Sequence, residues 1–342
     1  MRYFGVFLAF LIVGCSQNKK PKEFTSVTVQ TVFTDSVSIR AIEFLDDRTL
    51  AFAGNAGVYG SLDVPSGKIR SSIMEFEGKM PEFRSVAHTS SDFFMLSVAN
   101  PALLFKTGDG GKMELVYRED GEDVFYDAMT FWNDKEGIAI GDGKNGCMAI
   151  IITRDGGNSW KKIPCEELPK LKGEVGAYAA SNTNIEVIRS KTWVITSKEQ
   201  LLYSADKGQS WEVINTPIQL TAPYHGLYSL DFYDENKGFA IGGNFSAPKV
   251  NKYNKIATFN GGKHWELTAN GSSPGYKSCV QFVPNSEGTG LVAVGFTGID
   301  YSSDGGKTWT QLSEEGFYTL RFLDENVAYA AGKNRIARLV FK

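Results

Sequence analysis

The chain has 342 residues, 42% of them hydrophobic and 22% charged, with a formal net charge of −3. That near-neutral balance lacks the basic footprint of a nucleic-acid binder and is typical of a folded globular chain. His88, His225 and His264 are scattered and no Cys-x-x-Cys pair occurs, so no metal site is expected; the Gly-rich strings lack the strand-to-helix setting of a phosphate loop, so no cofactor is expected either.

The N-terminus reads as an address. Arg2 precedes an apolar run from Tyr3 to Val13, too short to span a bilayer and of the length of a signal-peptide core. The run ends in Leu-Ile-Val-Gly-Cys at 11–15, which resembles a bacterial lipobox. The resemblance implies a signal peptide over 1–14, lipidation of Cys15, a polar tether over 15–25, and a lipid-anchored, extracytoplasmic protein of the bacterial cell envelope. The periplasmic or surface side stays open.

From residue 26 to 342 the reading is one domain. SVTVQTVF at 26–33 is a solitary strand, and after it a unit recurs roughly every 45 to 55 residues, the signature of a repeat architecture. One element is a strand, an Asp/Asn-rich turn and an alternating small/apolar strand: FLDDRTLAFAG (44–54), FWNDKEGIAIG (131–141), FYDENKGFAIG (232–242) and FLDENVAYAAG (322–332). The second is a Gly-rich turn: a worn SLDVPSGK (61–68), then TGDGGKM (107–113), TRDGGNSW (153–160), SADKGQSW (204–211), TFNGGKHW (258–265) and SSDGGKTW (302–309). In these turns Asp109, Asp155, Asp206 and Asp304 can accept backbone N–H bonds while Gly takes the positive φ of a tight turn. Trp160, Trp211, Trp265 and Trp309 open the next strand and need burial between sheets.

Innermost strands are expected to begin near Ile39, Phe83, Tyr126, Tyr178, Tyr228, Lys277 and Phe317. The last unit stops short of a fourth strand, so the expected fold is all-β: a seven-bladed β-propeller in which the N-terminal strand completes the last blade and removes an open edge. A monomeric ring is expected.

The turns closely match the Asp box, or bacterial neuraminidase repeat, S/T-x-D-x-G-x-T/S-W. Joined to the strand–turn–strand element, they resemble the repeat of the photosystem II assembly factor family over about residues 27–342. That resemblance implies a non-enzymatic propeller that binds a protein partner or assists assembly of an envelope complex. Sialidases also carry the box and supply the alternative, a glycan-active or glycan-binding propeller; their arginine motif F/Y-R-I-P is not completed by Phe83-Arg84-Ser85-Val86 or Ser38-Ile39-Arg40-Ala41, so no catalytic residue is assigned.

Aligning the inner strands on Phe44, Phe131, Phe232, Phe282 and Phe322 places Arg40, Asp127, Tyr228, Ser278 and Tyr318 at one position, four residues earlier, with Arg84 at the matching place of the second copy. Inner strands converge on a central channel, so Arg40, Arg84, Asp127, Tyr228 and Tyr318 are expected at one mouth, with Tyr126 and Tyr178 close by. Such a mouth suits an anionic group, a carbohydrate or a peptide terminus; inter-blade bonding is the structural alternative. Cys147 and Cys165 each lie nine residues from the turn centre at Gly156, so an unbulged hairpin would set them opposite each other within disulfide range.

Overall fold

The computed structural model describes residues 23–108 and 111–342. The expected signal peptide, Cys15, most of the expected tether and Asp109 lie outside them.

Among the described residues the strands form six antiparallel sheets set in a ring. Five are four-stranded meanders: Phe83–His88 to Met113–Glu119, Tyr126–Phe131 to Lys161–Lys162, Ile185–Ile188 to Glu212–Asn215, His225–Phe232 to Glu266–Leu267, and Cys279–Phe282 to Thr310–Ser313. The sixth has six strands, in the order Thr319–Phe322, Val327–Phe341, Val27–Phe44, Thr49–Gly54, Val58–Asp63, Lys68–Ile73. The fold is thus a six-bladed propeller, and the expectation of seven separate blades is corrected. The reason lies in two long strands. Val27–Phe44 pairs with Arg335–Phe341 through its first half and with Leu50–Gly54 through its second, while Val327–Phe341 reaches back to Thr319–Phe322. Because neither strand breaks where one repeat unit gives way to the next, the first and last units share a single hydrogen-bonded sheet.

The Gly-rich turns show why their residue types recur. The first residue accepts the N–H of the fifth: Gly157 N to Thr153 Oγ1 at 2.9 Å, Gly208 N to Ser204 Oγ at 2.8 Å, Gly262 N to Thr258 Oγ1 at 3.0 Å, Gly306 N to Ser302 Oγ at 2.9 Å. The third accepts from the seventh; Asp206 takes Ser210 N at 2.9 Å and Ser210 Oγ at 2.6 Å, and Asn260 still accepts His264 N at 3.0 Å. The fifth must be Gly on two counts. Gly157 and Gly306 have φ of 80° and 84°, and a Cβ there would stand 2.3 Å from the ring of Phe94 and 2.1 Å from that of Phe239, each on the preceding sheet. The tryptophans follow the same logic: Trp160 meets Phe94 and Phe131 edge-on, and Trp309 packs on Phe239, so the turns lock adjacent sheets together.

The central channel is filled by the chain itself. Tyr178 does not begin an inner strand as expected; that strand is Ile185–Ile188, and the residues before it enter the channel. Asn182 Nδ2 donates to Val86 O at 2.7 Å and its Oδ1 accepts from Met129 N at 3.0 Å. Ser181 Oγ donates to Ser278 O at 2.6 Å, Thr183 Oγ1 to Ser229 Oγ at 2.7 Å, and Thr319 Oγ1 to Ser181 O at 3.0 Å. Inner strands from around the ring thereby share one plug, with a cavity on either side of it.

Cys147 and Cys165 are joined, with Cα atoms 5.7 Å apart. The register expected for them is off by one: Ile151 pairs with Lys162 and Ile152 with Lys161, which sets Met148 opposite Cys165. The bridge forms because the returning strand leaves the ladder after Ile163 and turns at Cys165–Glu167. Cys279 is a buried free thiol.

Candidate functional site

The cavity at the end where the inner strands begin, about 570 Å³, is lined by Arg40, Arg84, Tyr178, Tyr228 and Tyr318, together with Asp142, Tyr224, Phe245, Tyr276 and Phe296. The Gly-rich turns lie at the opposite end, where they bond the turns that follow the inner strands: Gly156 N to Lys135 O at 2.9 Å and Gly261 N to Asn236 O at 2.9 Å.

Local backbone geometry aims these side chains. The pairing of four of the inner strands slips by one residue at the aligned position: between Ile39 and Ala41, between Phe83 and Ser85, between Tyr126 and Ala128, and between Leu227 and Ser229. The residues left out of register are Arg40, Arg84, Asp127 and Tyr228. A bulge of this kind frees one residue from the ladder and redirects its side chain, and three of these four, Arg40, Arg84 and Tyr228, line the mouth.

Arg40 lies flat on Tyr318, its Cζ 4.1 Å from the ring centroid, and donates a long 3.4 Å bond to Ala180 O of the plug. Burial, and next the like charge of Arg84, pull it below the usual arginine value. Arg84 is neutralised by Glu82 at 2.6 Å and reaches Ala179 O at 3.5 Å. Across the mouth Tyr178 stacks on Tyr228 at 4.0 Å, and Tyr228 donates to Tyr224 O at 2.8 Å. Tyr276 meets Tyr228 edge-on at 4.9 Å and Phe296 at 5.2 Å, while Phe245 lies 4.9 Å from Tyr224. Tyr224, Phe245 and Phe296 are exposed. The result is an aromatic ridge beside a guanidinium that has no carboxylate partner among the described residues.

Two expected members are elsewhere. Asp127 is fully buried below the mouth, facing Asp142, and neither of its oxygens has another hydrogen-bond partner among the described residues. Burial, then the charge of Asp142, pushes its carboxyl well above the usual range. Tyr126 turns into a neighbouring cavity, where it and Tyr117 donate to Glu119 Oε2 at 2.7 and 2.5 Å. Burial and the adjoining carboxylate raise both phenols far above their ordinary range, so this Tyr–Glu contact keeps its phenols protonated and is not poised for nucleophilic attack. Ser278 is buried and donates to Tyr318 O at 2.7 Å.

Beyond the plug, a second cavity of about 280 Å³ holds Glu43, His88, Glu186, Asp231, Gln281 and Arg321. Here the residues before three of the aligned Phe bond the next inner strand: Asp231 accepts Phe282 N at 2.5 Å, Gln281 accepts Phe322 N at 3.1 Å, and Arg321 reaches Glu43 at 3.3 Å. This end is stitching. No group of His, Cys, Asp and Glu among the described residues is placed to hold a metal ion.

The rim residues Tyr224, Phe245, Tyr276 and Phe296 were not expected from sequence because they come from loops outside the repeat frame. The plug had one signal: the stretch GAYAASNTN at 176–184 is small, polar and uncharged, with no strand alternation.

These features define a β-propeller with a plugged channel and one Arg- and aromatic-lined mouth. The chain is similar in fold to YCF48 bound to D1 peptide, at 14% identity over 94% of this chain and 97% of that one, with a TM-score of 0.67. It is similar also to YCF48 from Cyanidioschyzon merolae, at 14% identity, 93% and 98% coverage and a TM-score of 0.62, and to the WD40 repeats of RRP9, at 11% identity, 95% and 99% coverage and a TM-score of 0.64. No family model matches the chain, and no curated protein matches it. At these identities the likeness is one of fold.

Proposed function

We propose that this chain is a protein-binding propeller, acting as an assembly factor or a receptor for a protein partner, and that the Arg40/Arg84 mouth holds an anionic segment of that partner. The observation that carries the reading is Arg40: a half-buried guanidinium, stacked on Tyr318, without a carboxylate partner among the described residues and beside an exposed aromatic ridge. A partly desolvated cation of this kind gains most from an incoming carboxylate, which can take both of its N–H edges, while the ridge offers the aromatic surface common at protein interfaces. The fold shared with YCF48, solved with a D1 peptide, supports a protein ligand over a small molecule.

The test is capture of partners from native membranes by the wild-type chain and by an Arg40→Ala/Arg84→Ala variant, followed by affinity measurement on the protein enriched. Loss of two charge-assisted contacts, about 1.5–3 kcal/mol each, predicts a fall in affinity of about a hundredfold or more with the melting temperature unchanged within a few degrees. Equal affinity in the two chains would remove the mouth from the binding surface.

We further propose that Cys15 carries a lipid that holds the propeller at the membrane of the bacterial cell envelope, with residues 16–25 as spacer. Labelled palmitate should enter the wild-type chain and not a Cys15→Ser variant, and the variant should leave the membrane fraction. Label in the variant, or wild-type protein that never sediments with membranes, contradicts the anchor.

A further inference from the structure

The bridge Cys147–Cys165 has a cation seated on it. Lys170 Nζ stands 2.8 Å from Cys165 Sγ and 3.0 Å from Cys147 Sγ, and also donates to Asn145 O at 3.1 Å. The charges facing the sulfurs across the adjoining cavity cancel in pairs: Glu119 with Lys162, and Asp123 with Lys144. Asp142, also on the wall, is held by burial above the usual carboxylate range and faces Asp127. Lys170 has no carboxylate partner among the described residues; Glu166 and Glu167, on the turn that Cys165 opens, are exposed and form no ion pair with it, so its ammonium is the charge in contact with the sulfurs. Cys165 is half-buried in an exposed turn, whereas Cys147 is buried.

A bridge whose only task is to staple a fold has no use for an ammonium on both sulfurs. Thiol–disulfide exchange does, because it depends on how well the departing sulfur carries negative charge, and a lysine beside a thiol favours the thiolate. We infer that Cys147–Cys165 is an exchangeable disulfide, open to a dithiol reductant, with Lys170 as the positioning residue that stabilises the departing thiolate. The dithiol's thiolate attacks the accessible Cys165 Sγ; the Cys165–Cys147 bond breaks, and Cys147 leaves as a thiolate against Lys170. The reductant's second thiol, deprotonated, then attacks its own sulfur in the mixed disulfide and releases Cys165. Two electrons pass to the cysteine pair, the dithiol becomes a disulfide, and its two protons go to solvent or to the new thiols.

The experiment uses the folded full chain with dithiothreitol as the dithiol, following opening of the bridge at pH 7 by the mass shift of a maleimide adduct. Lys170→Met should slow reduction about tenfold, and Lys170→Arg, which keeps the charge, should stay within about threefold of wild type. In the reduced protein, thiolate absorbance against pH should place one thiol at least about one unit below the ordinary value near 8.5, with that displacement lost in Lys170→Met. Equal rates and equal thiol titrations in wild type and Lys170→Met would overturn the inference, as would a bridge that yields to dithiothreitol only after denaturation, or two thiols that alkylate without any reductant.

Discussion

A chain shortened to begin at Ser36 is expected to aggregate on expression, and no soluble fraction with the wild-type melting temperature should be recovered. The shortened chain lacks the pairing of Val27–Thr34 with Arg335–Phe341, leaving those N–H and C=O groups as an open edge. It also loses Phe24, which lies between Phe341 and Tyr301, and uncovers Ile336, Leu339 and Phe341, all buried in the intact ring. Exposing a buried Ile, Leu or Phe costs about 1.5–3 kcal/mol each, so these three alone approach the roughly 5–15 kcal/mol that holds a domain folded. Soluble fraction and thermal melting provide the test, and a peptide covering 23–35 should restore solubility when supplied in trans. A truncated chain that is monomeric, soluble and unshifted in melting temperature would show that the strand is dispensable for closure.

What the sequence disclosed followed how local each cause is. The Gly-rich turns were legible because every residue type has a job inside an eight-residue window: Thr153 accepts from Gly157, Asp155 accepts from Ser159 at 3.0 Å, and Gly157 clears Phe94. Arg40, Arg84 and Tyr228 could be placed at one mouth because the bulge that aims them repeats with the strand. Asp127 shares the bulge but not the destination, since its carboxyl is taken up by Asp142, a contact no spacing encodes. The blade count failed for a related reason: sequence repeats count units, and whether Val27–Phe44 runs on from one unit into the next is decided by hydrogen bonds formed some three hundred residues apart in the chain. The plug was illegible because its small polar residues satisfy partners on distant strands, and nothing in Ser181, Asn182 or Thr183 names Ser278, Val86 or Ser229. The disulfide pair was found by a register argument whose register was wrong by one residue; proximity survived because adjacent positions on a hairpin remain within bridging distance.

The second large effect should come from Asp300. Lys277, the residue after Tyr276 of the mouth, is 2% exposed, and its ammonium lies 2.5 Å from the Asp300 carboxylate, itself 6% exposed. The same ammonium donates to Thr297 Oγ1 at 3.1 Å and Gly298 O at 2.9 Å, tying down the hairpin that carries Phe296. A second buried amine, Lys255, sits close enough to feel Asp300; burial lowers it to about 8, and Asp300's charge opposes the fall. Asp300→Asn keeps the shape and removes the one carboxylate among the described residues that balances the two buried cations, so a loss of about 3–5 kcal/mol is expected at neutral pH. The sign with pH follows from Lys277, which burial holds below its ordinary value against the pull of Asp300. Without Asp300 it falls further, and between its folded value and the unfolded value near 10.4 the unfolded chain binds more protons. Stability therefore rises with pH across that window, and the deficit of the variant should be smaller at about pH 9.5 than at about pH 7. Adding Lys277→Met to Asp300→Asn should recover much of the loss, because it removes the stranded charge instead of its partner. Guanidinium unfolding of the single and double variants at both pH values measures this directly. A deficit under about 1 kcal/mol at neutral pH, where an exposed pair would fall, or one that grows toward alkaline pH, would mean that Asp300 is not what keeps Lys277 charged beneath the aromatic rim.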